Sequence, residues 1–193
     1  MRVFVAGASG VIGVALVPLL TEAGHVVAGM TRTPQRAVTL VELGAEPVVC
    51  DVYDAGTLTA AVIAFAPDAV IHQLTDLPDD AREIAAHAQR HVRIRDEGTR
   101  KLLAAARASG AHSFLAQSIA WELEGERQSQ HEAFEQQVLD AGGVVIRYGQ
   151  LYGPGTYYED ELPDPPRISV QDAARRTVPL LMAPAGVVEL VDD

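Results

Sequence analysis

The stretch Arg2 to Gly13, RVFVAGASGVIG, limits what this chain can become more than any other part of it. An apolar run, Val3 to Ala6, gives way to a turn carrying Gly7, Gly10 and Gly13, and an apolar-periodic segment opens at Val11. Strand, glycine turn and helix in that order make a phosphate-binding corner. Glycine lets the chain leave the strand through backbone angles that a side chain forbids, and it lets the main chain approach a pyrophosphate. The helix that follows turns its unpaired amides, at Val11, Ile12 and Gly13, and its positive dipole end toward the anion. The Ser9 hydroxyl is a further donor.

The rest of the chain repeats the alternation. Val11 to Ala23 reads as a helix with Pro18 expected to kink it, and His25 to Thr31 as the second strand. Pro34 to Leu43 is the next helix, and Glu46 to Cys50 a third strand ending in Asp51 and Val52, where such sheets face an adenine. After a helix at Thr57 to Phe65, the fourth strand, Asp68 to Leu74, is almost continuously apolar, as a strand covered on both faces should be. His72 and Gln73 lie at its C-terminal end, the edge where ligands bind in this architecture. A long helical region, Ala81 to Ser109, is expected to break near Gly98. The fifth strand, His112 to Gln117, ends at Ser118 and is followed by a polar segment with Trp121, a helix at Gln130 to Leu139 and a sixth strand, Gly143 to Tyr148. A loop, Gly149 to Arg167, then precedes a helix at Val170 to Met182 and a last strand at Val187 to Val191. This order specifies an α/β fold, a doubly wound parallel sheet in one domain over residues 1–193, with 149–193 as a reduced substrate-side extension.

Charge and composition exclude several classes. A formal net charge of -11 argues against nucleic acid or an anionic membrane as partner, because both attract clustered cations. No apolar run is long enough to span a bilayer, and the N-terminus reads as a strand and binding turn instead of a signal peptide. Cys50 is the only cysteine, so neither an internal disulfide nor a thiolate metal site is expected, and a reducing cytoplasm fits. His87 and His91, four apart on a helix, read as a solvated face without a third metal ligand.

At the end of the second strand an acid would bond the adenosine ribose hydroxyls. The sequence instead gives Thr31-Arg32-Thr33-Pro34-Gln35-Arg36. Arg32 and Arg36 suit a 2′-phosphate, which favours NADP over NAD, the plainer alternative being two surface arginines.

With these pieces placed, the chain resembles the extended or atypical short-chain dehydrogenases/reductases of the NAD-dependent epimerase/dehydratase group. Gly7-Ala8-Ser9-Gly10-Val11-Ile12-Gly13 is similar to that group's G-x-x-G-x-x-G turn, and Asp51 takes the place of its adenine-contacting acid. Gly98-Thr99-Arg100-Lys101-Leu102-Leu103, Arg147 with Leu151 to Gly155, and Ile168 to Ala174 resemble later segments. The resemblance implies a tyrosine that moves a proton, assisted by a lysine four residues on and by a serine or threonine, while hydride passes to or from a nicotinamide. The lysine lowers the phenol's pKa.

Ser118 stands where that serine or threonine belongs. The tyrosine and lysine do not follow: the tyrosines are 53, 148, 152, 157 and 158 and the only lysine is Lys101, so the sequence contains no Tyr-x-x-x-Lys. Counting back from Glu135, which resembles the glutamate after the family's lysine, the two positions fall on Arg127 and His131. His131 is a candidate acid or base, the plainer reading being an exposed histidine. Trp121 and Tyr152 are candidates for shaping the substrate side. The resemblance implies an oxidoreductase or epimerase-like enzyme acting on a small metabolite, or a catalytically inactive NADP(H)-binding sensor or partner subunit. It also implies a homodimer through the helices at 81–109 and 130–139.

Overall fold

The computed structural model describes residues 1–78 and 80–192. Its strands are β1 (Arg2–Ala6), β2 (Val26–Thr31), β3 (Glu46–Val49), β4 (Ala69–His72), β5 (Ser113–Ile119), β6 (Val144–Tyr148), β7 (Gln150–Tyr152), β8 (Arg167–Ser169) and β9 (Gly186–Leu190). Seven of them form one parallel sheet in the order β3-β2-β1-β4-β5-β6-β9. The order reverses direction between β1 and β4, so a crevice opens there at the carboxyl ends of the strands.

Strand alternation sends side chains to two separate cores. Val3 and Val5 of β1, Leu115 of β5 and Ile146 of β6 pack on one face with α1 (Val11–Glu22). Phe4, Ala6, Phe114, Ala116 and Val145 pack on the other, against Leu58, Leu102 and Phe134. Those three belong to the helices Ala55–Phe65, Thr99–Ser109 and Glu126–Asp140. Numbered in chain order, the remaining helices are α2 (Arg36–Glu42), α3 (Ala55–Phe65), α4 (Ile84–Arg93), α5 (Thr99–Ser109), α6 (Glu126–Asp140) and α7 (Val170–Thr177). Helices on both faces make the sheet doubly wound, as the alternating pattern predicts. Among the described residues, no helix is long and apolar enough to cross a membrane.

Several boundaries differ from the sequence reading. The first helix runs through Pro18 as one element, packing Leu16, Val17 and Leu20 into the core on either side of the missing amide. The helical region expected to break near Gly98 instead passes through a π turn at Ile94–Gly98 between α4 and α5. The segment read as a plain loop holds β7 and β8, which pair in parallel because Gly149 lets the chain lie against Arg167. Helix α6 starts at Glu126, earlier than its apolar pattern indicates, because its first turn is exposed and polar.

Candidate functional site

The glycine corner has the expected shape. Gly7 adopts φ +88, and a Cβ on it would lie 2.7 Å from the carbonyl carbon and oxygen of Gln73, so no other residue fits. Gly10 donates to the Gly7 carbonyl at 3.0 Å, which closes the turn, and a Cβ on Gly13 would meet the Gly7 and Ala8 carbonyl oxygens at 2.5 Å. Gly10 caps α1 in an extended conformation without a side-chain hydrogen bond. The first-turn amides at Val11, Ile12 and Gly13 are those a helix leaves without an internal partner. A corner shaped this closely by backbone, with its helix end uncapped, fits the pyrophosphate of a dinucleotide.

Around it, Ser9 Oγ donates to Thr31 Oγ1 at 3.0 Å, tying the turn to the end of β2. Exposed Arg36 reaches back to the Ser9 carbonyl, Nη1 to O 3.4 Å, so its guanidinium sits over the corner. Arg32 leans the other way, toward Asp76, at 3.3 Å. Asp76 is buried and also takes two bonds from Arg90, at 3.1 and 2.8 Å. Burial pushes the Asp76 carboxyl up, but the Arg90 and Arg32 guanidiniums outweigh it and hold the group below the usual carboxylate range. Asp51 is exposed and accepts the Tyr53 amide at 2.9 Å, while Val52 is buried and packs near Gly98. Val52 therefore offers an adenine at most its edge.

At the reacting end, alternation puts Ser118 and Arg147 on the α6 face of the sheet, and the register of β5 and β6 makes them direct partners. Glu135 of α6 comes down onto both. Ser118 Oγ donates to Glu135 Oε1 at 2.5 Å, and Arg147 donates Nε to Oε1 at 3.0 Å and Nη2 to Oε2 at 2.5 Å. His131, one helical turn before Glu135, places Nε2 3.1 Å from Ser118 Oγ and 3.2 Å from Glu135 Oε1. Burial pushes Glu135 up, yet the hydrogen bonds from His131, Arg147 and Ser118 hold it far below the usual carboxylate range. With the Ser118 proton committed to Glu135, His131 Nε2 is the donor toward the serine oxygen. The serine is therefore not poised as a nucleophile.

This corrects the plainer reading of His131: its side chain is 12% exposed and bound into the site. His91, read as part of a solvated face, is half-buried, and burial with Arg95 nearby lowers its pKa to about 4. His72 is fully buried and accepts the Leu74 amide at Nδ1, 3.2 Å, so Nε2 carries the hydrogen and donates to Thr99 Oγ1 at 2.9 Å. Gln73 points to the opposite face, where Nε2 donates to Tyr148 Oη at 3.2 Å; the phenol in turn donates to Thr177 Oγ1 at 2.6 Å, which donates to the Ala173 carbonyl. The Gln73 Oε1 is buried without a partner among the described residues.

Trp121 is 36% exposed just past β5. Tyr152 gives its hydroxyl to Asp192 at 2.8 Å. Tyr157 reaches across to the Pro78 carbonyl, fastening the loop after β7 to the loop after β4. Lys101 is held by the Tyr53 carbonyl at 2.7 Å and Glu97 at 2.6 Å, on α5. Among the described residues, no three His, Cys, Asp or Glu side chains are grouped to hold a metal. Sequence reasoning missed Arg147, Asp76 and Arg90 as site residues. Arg147 and Glu135 left a signal, both through the family resemblance, whereas Asp76 and Arg90 left none.

A glycine corner at the switch point of a doubly wound parallel sheet, with a polar cluster at the ends of β5 and β6, defines a dinucleotide-binding protein of the Rossmann type. The chain belongs to the NAD dependent epimerase/dehydratase family, whose model matches residues 3–137. It is 39% identical over 185 residues to a 3-diazoavenalumate denitrifying reductase from a Streptomyces species. That match covers 82% of this chain and spans 59% of the reductase's length. Among solved structures, UDP-glucose 4-epimerase from Thermus thermophilus in complex with NAD superposes with a TM-score of 0.80 at 20% identity, over 99% of this chain and 78% of that one. UDP-glucuronic acid 4-epimerase from Bacillus cereus, in complex with UDP-glucuronic acid and NAD, gives 0.78 at 18% identity, over 100% and 78%.

Proposed function

We propose that this chain is the cofactor-holding and reacting part of an NADP-dependent reductase that delivers hydride to a small, activated electrophile. The observation that carries the reading is His131: at the place where the family resemblance expects lysine, its Nε2 is 3.1 Å from Ser118. The glycine corner grips the phosphates through main-chain amides, and Arg36, joined by Arg32 once it leaves Asp76, receives a 2′-phosphate at its rim. A bound nicotinamide supplies the hydride. Arg147 keeps Glu135 ionised, and Glu135 holds Ser118 and His131 in one fixed arrangement at the carboxyl edge. His131 is the group there that gives or takes a proton, with Ser118 steering its Nε2 hydrogen.

An electrophile that already carries positive charge accepts hydride without prior protonation. A site without Tyr-x-x-x-Lys suits such a substrate, and the Streptomyces relative is named as a denitrifying reductase of a diazo compound, which motivates testing that class first. Trp121 and Tyr152 border the substrate side. The chain pairs through the helices at 81–109 and 130–139, and it works in the reducing cytoplasm, consistent with its lone buried cysteine.

The test is oxidation of NADPH by the purified protein with 3-diazoavenalumate and a panel of carbonyl compounds. Turnover with the diazo compound, lost in His131→Gln, supports the reading. No change in nicotinamide absorbance with any compound ends it. The sequence's lack of Tyr-x-x-x-Lys favours a second reading, a catalytically inactive NADP(H)-binding sensor or partner subunit. Calorimetry that finds tight NADPH binding in a protein without turnover selects that alternative.

A further inference from the structure

Arg95 is a buried cation that has no ion-pair partner among the described residues. It sits in the π turn between α4 and α5 and is 9% exposed. Its guanidinium lies 4.4 Å from the ring centroid of Phe134 and donates Nη1 to the carbonyl of Gln117, the residue before Ser118. Among the described residues, no carboxylate forms an ion pair with it. The nearest acid by influence, Glu135, already receives Arg147, Ser118 and His131. Burial lowers Arg95 to about 10, so it remains a cation at neutral pH.

Burying an unpaired guanidinium is unfavourable unless something answers its charge. The Gln117 carbonyl takes Nη1 and the Phe134 ring takes one face of the guanidinium, and among the described residues no other acceptor bonds its remaining N–H groups. The flanking histidines, His72 and His91, are both held neutral by burial and by Arg95 itself, so they add no negative charge. Arg95, Arg147 and Glu135 therefore sum to a local excess of one positive charge beside Ser118, in a chain whose formal net charge is -11. A phosphate-binding role is already filled elsewhere: the glycine corner lies on β1, whereas Arg95 is bonded to the end of β5.

We infer that Arg95 is the recognition group for a carboxylate on the substrate, which it pairs with next to Ser118 and His131. The inference rests on the reading of that strand end as the substrate side. Phe134 stacks on the plane of the guanidinium and the Gln117 carbonyl takes Nη1, which leaves the Nε and Nη2 edge, a fork that matches two carboxylate oxygens.

The experiment measures binding of cinnamate and methyl cinnamate by calorimetry to the protein saturated with NADP⁺, for wild type, Arg95→Gln and Arg95→Lys. Wild type is expected to prefer the acid by about ten- to hundredfold, the size of a charge-assisted hydrogen-bond pair. Arg95→Gln lowers acid binding to the level of the ester and leaves the ester unchanged. Arg95→Lys keeps part of the preference, which a merely structural role would not produce. Thermal midpoints of all three proteins show that the fold survives. Equal binding of acid and ester to wild type overturns the inference, as does no binding of the acid, or a preference that persists in Arg95→Gln. Hydride transfer is read separately from nicotinamide absorbance: acid preference without turnover keeps the carboxylate site and removes the reductase.

Discussion

Ser118 on β5 and Arg147 on β6 stand opposite each other in register and both donate to one carboxylate, Glu135, the hydroxyl at 2.5 Å and the guanidinium at 3.0 and 2.5 Å. The pairing fixes the reacting edge by joining two strands to the helix above them. It also balances the charge of Glu135, which stays ionised while it accepts the serine hydroxyl.

Acid should loosen this cluster before it affects the rest of the fold. Glu135 is depressed in the folded state, so its stabilisation is complete above the ordinary glutamate value, about 4.3, and drains away as pH falls below it. Glu135→Gln removes one partner of a buried ion pair and is expected to cost about 3–5 kcal/mol at neutral pH. Urea midpoints followed from pH 7 downward should converge for the two proteins, because acid takes from the wild type what the substitution has already removed.

Gly7→Ala is expected to destabilise the fold by about 1–3 kcal/mol and to abolish dinucleotide binding. The methyl group would need both a φ of +88 and a 2.7 Å approach to the Gln73 carbonyl. Denaturation and calorimetry with NAD and NADP read the two effects, and unchanged binding would show that the corner is not the phosphate site.

Arg36→Ala should raise the Kd for NADP about tenfold or more while that for NAD stays the same, since only the 2′-phosphate loses a charged partner. Equal weakening of both cofactors would show that Arg36 supports the turn through the Ser9 carbonyl instead.

Tyr148→Phe is expected to cost about 1–3 kcal/mol, because it leaves the Gln73 amide and the Thr177 oxygen buried without their shared phenol. Burial pushes that phenol up to about 12, so its contribution should not change between pH 6 and 9. Equilibrium unfolding at both ends of that range checks the claim.

The strands and the glycine corner were legible because each carries its own local pattern: Val3 to Ala6 is apolar without a break, and Gly7 is demanded by one backbone angle. Ser118 and His131 were found by counting along a resemblance, and they do meet. Arg147 could not be added, because its place beside Ser118 is set by the register of two strands 25 or more residues apart in sequence. Asp76 and Arg90 were hidden for a similar reason: the loop after β4 folds back onto α4, and no periodicity records that. His131 was expected at the surface because α6 is polar along most of its length, whereas Phe134, Glu135 and Val138 turn one narrow side of it inward.

The contact of Gly7 with the Gln73 peptide has one more consequence. It is a seam of main chain against main chain, too tight for a methyl group, between the strand that ends in the phosphate grip and the strand that leads to the reacting edge. The spacing between held phosphates and reacting groups is thus built into the backbone, and side chains around the edge can be exchanged without resetting it. A fold with that property can shed one proton relay and acquire another while its hold on the nucleotide stays where it was.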